Sequence, residues 1–195
     1  LQGDLETPEQ FVPAEPPDGR WETCLTMNRS WGYVPADTRY KSARDLIHTV
    51  CETAGRGGNL LLNVSPRGAG SLPPEQLERL ATVGEWVAAH GEAIYGTTAG
   101  LAPWQFYGPS TRRGDTTYLH LLMRPYDTVT VRGVPIRRVA GVRHVPSGRE
   151  LTVRTRASAV DELFNADPMG EAIIEVPADL VDEHATVLAL DINPS

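Results

Sequence analysis

Gly57-Gly58-Asn59-Leu60-Leu61-Leu62-Asn63-Val64 is the stretch that decides how the first half of the chain is read. Its apolar run is unbroken and has polar ends. It lacks the alternation of a half-solvated strand, so it predicts a strand covered on both faces, as in a parallel sheet. Upstream, residues 42–54 place Ala43, Leu46, Ile47, Val50 and Cys51 at helical spacing, which gives one apolar face. Ser42 is the expected N-cap, with Asp45 completing a capping-box-like pair. Downstream, residues 74–90 form the clearest predicted helix. Pro74 suits the first turn, Glu75 and Glu78 favour the positive end of the dipole, and Gly91 ends it. Its apolar side is expected to carry Leu77, Leu80, Ala81, Gly84, Val87 and Ala88. Helix, buried strand, then helix is a piece of an α/β repeat. The Gly57-Gly58 pair is no phosphate loop: it precedes the strand and lacks the required spacing. Its glycines permit a tight helix-to-strand turn.

Residues 1–40 are rich in breakers, including Pro8, Pro13, Pro16, Pro17, Gly19, Gly32 and Pro35. They read as a long, functional loop structure anchored by Trp21, Trp31 and Tyr33. The character changes near residue 97. Short runs at 117–123, 128–131, 136–139, 151–154, 172–176 and 186–192 alternate with turn residues and predict an antiparallel sandwich. No long helix is expected there, only a single turn within 179–183.

The 195 residues leave room for one generous domain or two small ones. With 41% apolar and 22% charged residues the composition is that of a globular protein. The net charge of −7 is spread out: −5 over residues 1–98 (8 basic, 13 acidic) and −2 over residues 99–195 (10 basic, 12 acidic). With no basic stripe available, nucleic acid is not an expected partner. No apolar run approaches the roughly 18 residues of a membrane span. Cys24 and Cys51 have no zinc-like spacing and read as free thiols, and the histidines at 48, 90, 120, 144 and 184 are scattered. No metal and no cofactor is assigned. Lys41 is the sole lysine, a skew that points to genome composition before function. Asn28-Arg29-Ser30 and Asn63-Val64-Ser65 match the glycosylation triplet, a pattern common by chance. The chain opens on Leu1 in a segment that reads like the middle of something, with no signal peptide pattern.

Three stretches, taken together, are more specific than any one of them. They are Gly3-Asp4-Leu5-Glu6-Thr7-Pro8-Glu9-Gln10, then residues 21–33 (WETCLTMNRSWGY), then residues 57–66 (GGNLLLNVSP) followed by Gly91-Glu92-Ala93-Ile94-Tyr95-Gly96-Thr97. In this order and spacing the chain resembles the C-terminal part of family 29 α-L-fucosidases. The resemblance implies an α/β portion followed by an all-β portion. Residues 1–98 would be the C-terminal part of a (β/α)8-like catalytic barrel, and residues 99–195 a C-terminal β-sandwich. It also implies retaining hydrolysis of terminal α-L-fucosides from glycans or glycoconjugates. Family precedent is extracellular, periplasmic or lysosomal.

Retention requires two carboxyl groups about 5–5.5 Å apart. In the family the nucleophile is an aspartate in a Trp-Asn-Asp-like stretch. None of Trp21, Trp31, Trp86 and Trp104 is followed by such a pair, so the nucleophile is expected upstream and the 195 residues are expected to be inactive alone. Glu9, in Asp4-Leu5-Glu6-Thr7-Pro8-Glu9, matches the family's general acid/base position. That role asks for a raised pKa and a carboxyl half buried against aromatic surface. Glu6 and Glu15 are rival loop acids. Trp31 matches the aromatic position that lines the pocket for the sugar's C5 methyl, and an apolar wall suits a 6-deoxy sugar. Trp21 is expected to pack the loop, Asn59 and Asn63 to be hydrogen-bonded structural residues, with Asn63, nearer the carboxyl-end mouth, the alternative candidate for supporting the site, and Glu92 and Tyr95 to pack at the junction of the two portions. Two rival readings remain: a non-catalytic carbohydrate-binding or interaction module built around the sandwich, and a degenerate family member.

Overall fold

The computed structural model describes residues 3–194, so Leu1 and the reading attached to it lie outside the described residues. The first strand, β1, spans Glu22–Thr26, inside the region read as loop. Its signal is the alternation of buried Trp21, Thr23 and Leu25 with less buried Glu22 and Cys24. Helix α1 (Ala43–Gly55) follows, capped by Ser42 and Asp45 as the sequence predicts. The predicted apolar run is strand β2 (Asn59–Asn63), and it pairs with β1 in parallel from Glu22↔Asn59 to Thr26↔Asn63. On the other side of β1, residues 6–10 run parallel to it: Glu22 N donates to Glu6 O (2.9 Å), Cys24 N to Pro8 O (3.0 Å) and Gln10 N to Cys24 O (2.9 Å).

The turn from α1 into β2 shows why two glycines stand there. Gly57 takes a left-handed φ of 74°. Gly58 faces the indole of Trp21, whose ring atoms lie 2.3 Å from where a Cβ would sit. Trp21 is 2% exposed and donates its Nε1 to Arg56 O. It packs the chain from within, as expected.

One expectation fails on β2. It is not covered on both faces among the described residues: Leu61 is 52% exposed, while Leu60 and Leu62 look toward Val50, Val83 and Val87 across a cavity of about 520 Å³. The helices back one face only, and no described element lies over the other.

Helix α2 (Pro74–His90) has the predicted bounds, with Pro at its start and Gly91 at its end. Its buried side is different. Gln76, Trp86 and His90 are buried, whereas Leu77, Ala81, Gly84 and Ala88 are exposed. The reason is tertiary. Trp86 packs with Ile47 and Cys51 of α1 and with the sheet beyond, and donates its Nε1 to Ala185 O at 2.9 Å. His90 stacks on that indole with ring centroids 4.3 Å apart.

After the 3₁₀ turn Gly91–Ala93 the chain is antiparallel. Strands β3 (Thr98–Ala99), β4 (Ser110–Arg113), β5 (Thr116–Leu121), β6 (Thr128–Pro135), β7 (Val139–His144), β8 (Val153–Arg156), β9 (Met169–Glu175) and β10 (Thr186–Ile192) build two sheets. One has the order β3-β4-β5-β10-β7, the other β6-β9-β8. Leu119, Leu121, Val142, Leu188 and Leu190 of the first face Val129, Val131, Ala172 and Ile174 of the second across a shared core. That is the predicted sandwich. Residues 136–138 form a turn instead of the expected strand, because Arg138 N closes back on Pro135 O. A short helix α3 (Ala159–Phe164), capped by Ser158, was not anticipated, and the single turn near 179 falls at Ala178–Leu180.

The sandwich meets the helices through the outer face of its larger sheet, where Tyr118, Val187 and Ala189 pack against Ile47, Cys51 and Trp86. A charged clasp closes the joint. Glu92 accepts from Arg143 Nη1 at 2.7 Å and Nη2 at 3.0 Å, and from Tyr118 Oη at 3.4 Å, with Arg113 at 3.7 Å. Glu92 is thus the junction residue the sequence suggests. Tyr95 is not, being 65% exposed. Cys24 and Cys51 are both free thiols. Among the described residues no helix is long and apolar enough to cross a membrane.

Candidate active site

Residues 6–10, β1 and β2 all run the same way, so their carboxyl ends share one rim. Loops leaving the carboxyl ends of parallel strands are where α/β folds build sites. Glu9 lies at that end of its segment, opposite Cys24. Its neighbour Gln10 has a left-handed φ of 67°, and its side-chain Oε1 accepts from Thr26 N (3.4 Å) at the end of β1. Thr23 Oγ1 donates to Phe11 O at 2.7 Å. The turn after Glu9 is therefore pinned to β1 on both sides. The rivals lie elsewhere. Glu6 pairs with Trp21 at the opposite end of β1, and Glu15 adjoins Ala14, whose carbonyl accepts from Arg56 beyond the far end of α1.

One expectation for Glu9 is not met. It is exposed, without an ion pair or side-chain hydrogen bond among the described residues, and the nearby Phe11 is itself 58% exposed. The half-buried aromatic setting expected of it is absent here, because no described element covers this side of the rim.

Trp31 sits on the loop leaving β1, and that loop is tightly held. Thr26 Oγ1 donates to Asn28 O (2.5 Å), and Ser30 N to Asn28 Oδ1 (3.1 Å). Asp37 Oδ2 receives Arg29 N (3.1 Å) and the Ser30 hydroxyl (2.7 Å). The Ser30 hydroxyl is the main reason the Asp37 carboxyl titrates below the usual carboxylate range. Lys41 lays its Nζ against Thr26 O and, more distantly, Asn28 O (3.5 Å), and partial burial pulls its pKa down. From β2, Asn63 Nδ2 donates to Trp31 O at 2.9 Å and Ser65 Oγ to the same oxygen at 3.2 Å. The Trp31 backbone is thus gripped from the neighbouring strand while its indole stays 42% exposed. Both asparagines of the glycosylation-like triplets are spent inside this network. Asp37, Lys41, Ser65 and Gln10 were not anticipated. The lone lysine was the single available hint, and its partners are backbone carbonyls that no spacing rule exposes.

The histidines hold the fold. His48 pairs with His184 O (2.9 Å), His90 with Trp86 O (2.8 Å), His120 with Thr111 Oγ1 (3.2 Å) and His144 with Ser147 Oγ (2.8 Å). Among the described residues no three His, Cys, Asp or Glu side chains gather as a metal site.

Parallel strands backed by helices and joined to an antiparallel sandwich define a mixed α/β and all-β chain, a layout that does not by itself assign a chemistry. The comparisons narrow this to one family. Residues 1–92 match the family model described as alpha-L-fucosidase. Human tissue alpha-L-fucosidase is 33% identical over 136 residues, 66% of this chain and 29% of its own length. The Dictyostelium discoideum alpha-L-fucosidase is 31% identical over 138 residues, 66% of this chain and 29% of its own length. The structure of alpha-L-fucosidase isoenzyme 1 from Paenibacillus thiaminolyticus superposes with a TM-score of 0.85 at 31% identity, covering 98% of this chain and 46% of that one. The Thermotoga maritima alpha-fucosidase gives 0.77 at 27% identity, over 98% and 43%. These likenesses support a fragment of the α-L-fucosidase family. The chain spans under a third of the curated relatives' length and under half of those solved structures.

Proposed function

We propose that residues 1–98 are the C-terminal part of a (β/α)8-like catalytic barrel, that residues 99–195 are its sandwich domain, and that together they supply the acid/base side of a retaining α-L-fucosidase. The observation that carries this reading is the shared rim: Glu9 and the gripped Trp31 stand at the carboxyl ends of adjacent parallel strands. In this reading an aspartate from outside these residues attacks the anomeric carbon. The C1–oxygen bond breaks and Glu9 gives its proton to the leaving oxygen. Glu9, now a carboxylate, takes a proton from water as that water attacks C1, which breaks the glycosyl–enzyme bond and releases fucose. Trp31 offers its exposed ring to the C5 methyl, and the Asn63 and Ser65 contacts hold it in place. The substrates are terminal α-L-fucosides of glycans or glycoconjugates.

The test compares the 195-residue chain with a form extended by its upstream coding sequence, on α-L-fucosyl fluoride and on an alkyl α-L-fucoside. The short chain should be inactive. In the extended form, Glu9→Gln should cost about 10²–10⁴-fold on the alkyl fucoside, whose leaving oxygen needs a proton, and far less on release of fluoride in the first step. Turnover by the short chain, or equal losses on both substrates, would refute the assignment.

A further inference from the structure

The sandwich carries a second recess that the catalytic reading does not use. It opens at the end of the sandwich where the two sheets part, between the β4–β5 turn, the end of β10 and a bulge in β6. Its volume is about 480 Å³. The walls are mostly polar, with Gln105, Arg112, Asp115, Arg138 and Asn193 all present. Gln105 is spent within the protein, its Oε1 accepting from Ala102 N (3.1 Å), but Arg112, Asp115 and Asn193 keep side-chain groups without a protein partner among the described residues. Arg112 uses only Nε, on Gly114 O (3.0 Å). Asp115 and Asn193 make no side-chain hydrogen bond among the described residues. Arg138 pairs its Nη2 with Asp167 (2.9 Å).

Beside this recess stands Trp104, 65% exposed. Its six-membered ring lies against Gly133, which forms part of the recess wall. The β6 register shifts there, Gly133 has a left-handed φ of 62°, and an added Cβ would come within 2.7 Å of the indole. The backbone is therefore shaped to seat the tryptophan, with Gln105 Nε2 fixing the same loop to Arg132 O and Gly133 O. An indole held on a backbone shelf and left open to solvent, next to planar amides, a carboxylate and guanidinium groups, suits one ligand chemistry. The apolar C–H face of a pyranose stacks on the ring, and vicinal hydroxyls take the paired donors and acceptors.

We propose that Trp104 and the adjoining recess form a non-catalytic binding site for a neutral pyranose unit of a glycan. The neutral class follows from charge: Arg138 is compensated by Asp167, leaving Arg112 and Asp115 to balance each other. The site is separate from the Glu9 rim and does not depend on the proposed chemistry there.

Saturation-transfer NMR and tryptophan fluorescence on the full chain, with methyl pyranosides of fucose, galactose, glucose and N-acetylglucosamine as probes, test it. At least one probe should bind. Trp104→Ala should weaken that binding by about tenfold or more, Trp104→Phe should restore part of it, and Tyr126→Ala, at an exposed aromatic outside the recess, should leave it unchanged. Asp115→Asn, on an exposed turn, repeats the test should Trp104→Ala alter the melting curve. Absence of binding by any probe, binding indifferent to both recess variants, or binding lost equally with Tyr126→Ala would overturn the proposal. None of these outcomes bears on the Glu9 and Trp31 reading.

Discussion

Replacing Glu92 with Gln tests the joint between the helical layer and the sandwich. The carboxylate receives two guanidinium hydrogen bonds from Arg143, at 2.7 and 3.0 Å, with Arg113 and Tyr118 at longer range. Hydrogen bonds to charged groups contribute about 1.5–3 kcal/mol when buried, and exposed ion pairs about 0–1. The side chains of Glu92 and Arg143 are 34% and 26% exposed, so an intermediate loss of about 1–2 kcal/mol is expected. For a chain of this size that lowers Tm by roughly 2–8 °C. The effect must depend on pH with a definite sign. The Arg143 hydrogen bonds hold the Glu92 carboxyl below its ordinary value of 4.5. A carboxyl depressed in the folded state stabilises fully above its unfolded pKa, and that contribution fades as pH falls through the folded value. Urea unfolding of both proteins, from about pH 7 down to about pH 3, should show the gap closing on acidification. A gap that persists unchanged in acid, or no gap at neutral pH, would refute the clasp as an electrostatic device.

Three further outcomes follow from the packing. Trp86→Ala should cost about 3–5 kcal/mol in denaturant unfolding, since it empties the space shared by α1, His90 and the larger sheet. Gly58→Ala should cost about 1–3 kcal/mol by driving a methyl group into the Trp21 ring, and Trp21 fluorescence should shift with it. Burial pushes His120 down to about 3 from 6.5, so the unfolded chain binds a proton that the folded chain refuses between those values. Stability should therefore fall as pH drops below about 6.5, at up to about 1.4 kcal/mol per pH unit for this group. His120→Gln should give a shallower acid limb. Identical pH slopes for the two proteins would remove His120 from that account.

Much of this structure was written locally. Helices α1 and α2 were legible from 3.6-residue spacing and from caps, because capping and the dipole act within a single turn. Strand β2 was legible as an unbroken apolar run, and most sandwich strands from alternation between turn residues. Strand β1 was obscured because prolines and aromatics nearby suggested a loop, although Trp21, Thr23 and Leu25 already alternate. The side of α2 that is buried was misjudged for a plainer reason. Leu77, Ala81 and Gly84 make a credible stripe, but Trp86 and His90 make the larger contact once the sandwich is present.

The site divides in the same way. By itself the sequence carried the resemblance to the family, through motifs whose order and spacing do not depend on packing, and with it Glu9 and Trp31 as candidates. Only the tertiary structure decided that Glu9, not Glu6 or Glu15, stands on the rim with Trp31, and that Asn63 and Ser65 grip the tryptophan's backbone. It alone seated Trp104 beside a polar recess. The relations around Trp31 join residues 22 to 34 positions apart in the chain, brought together by parallel pairing. No local periodicity encodes such pairings, because their energy exists only after the strands have met.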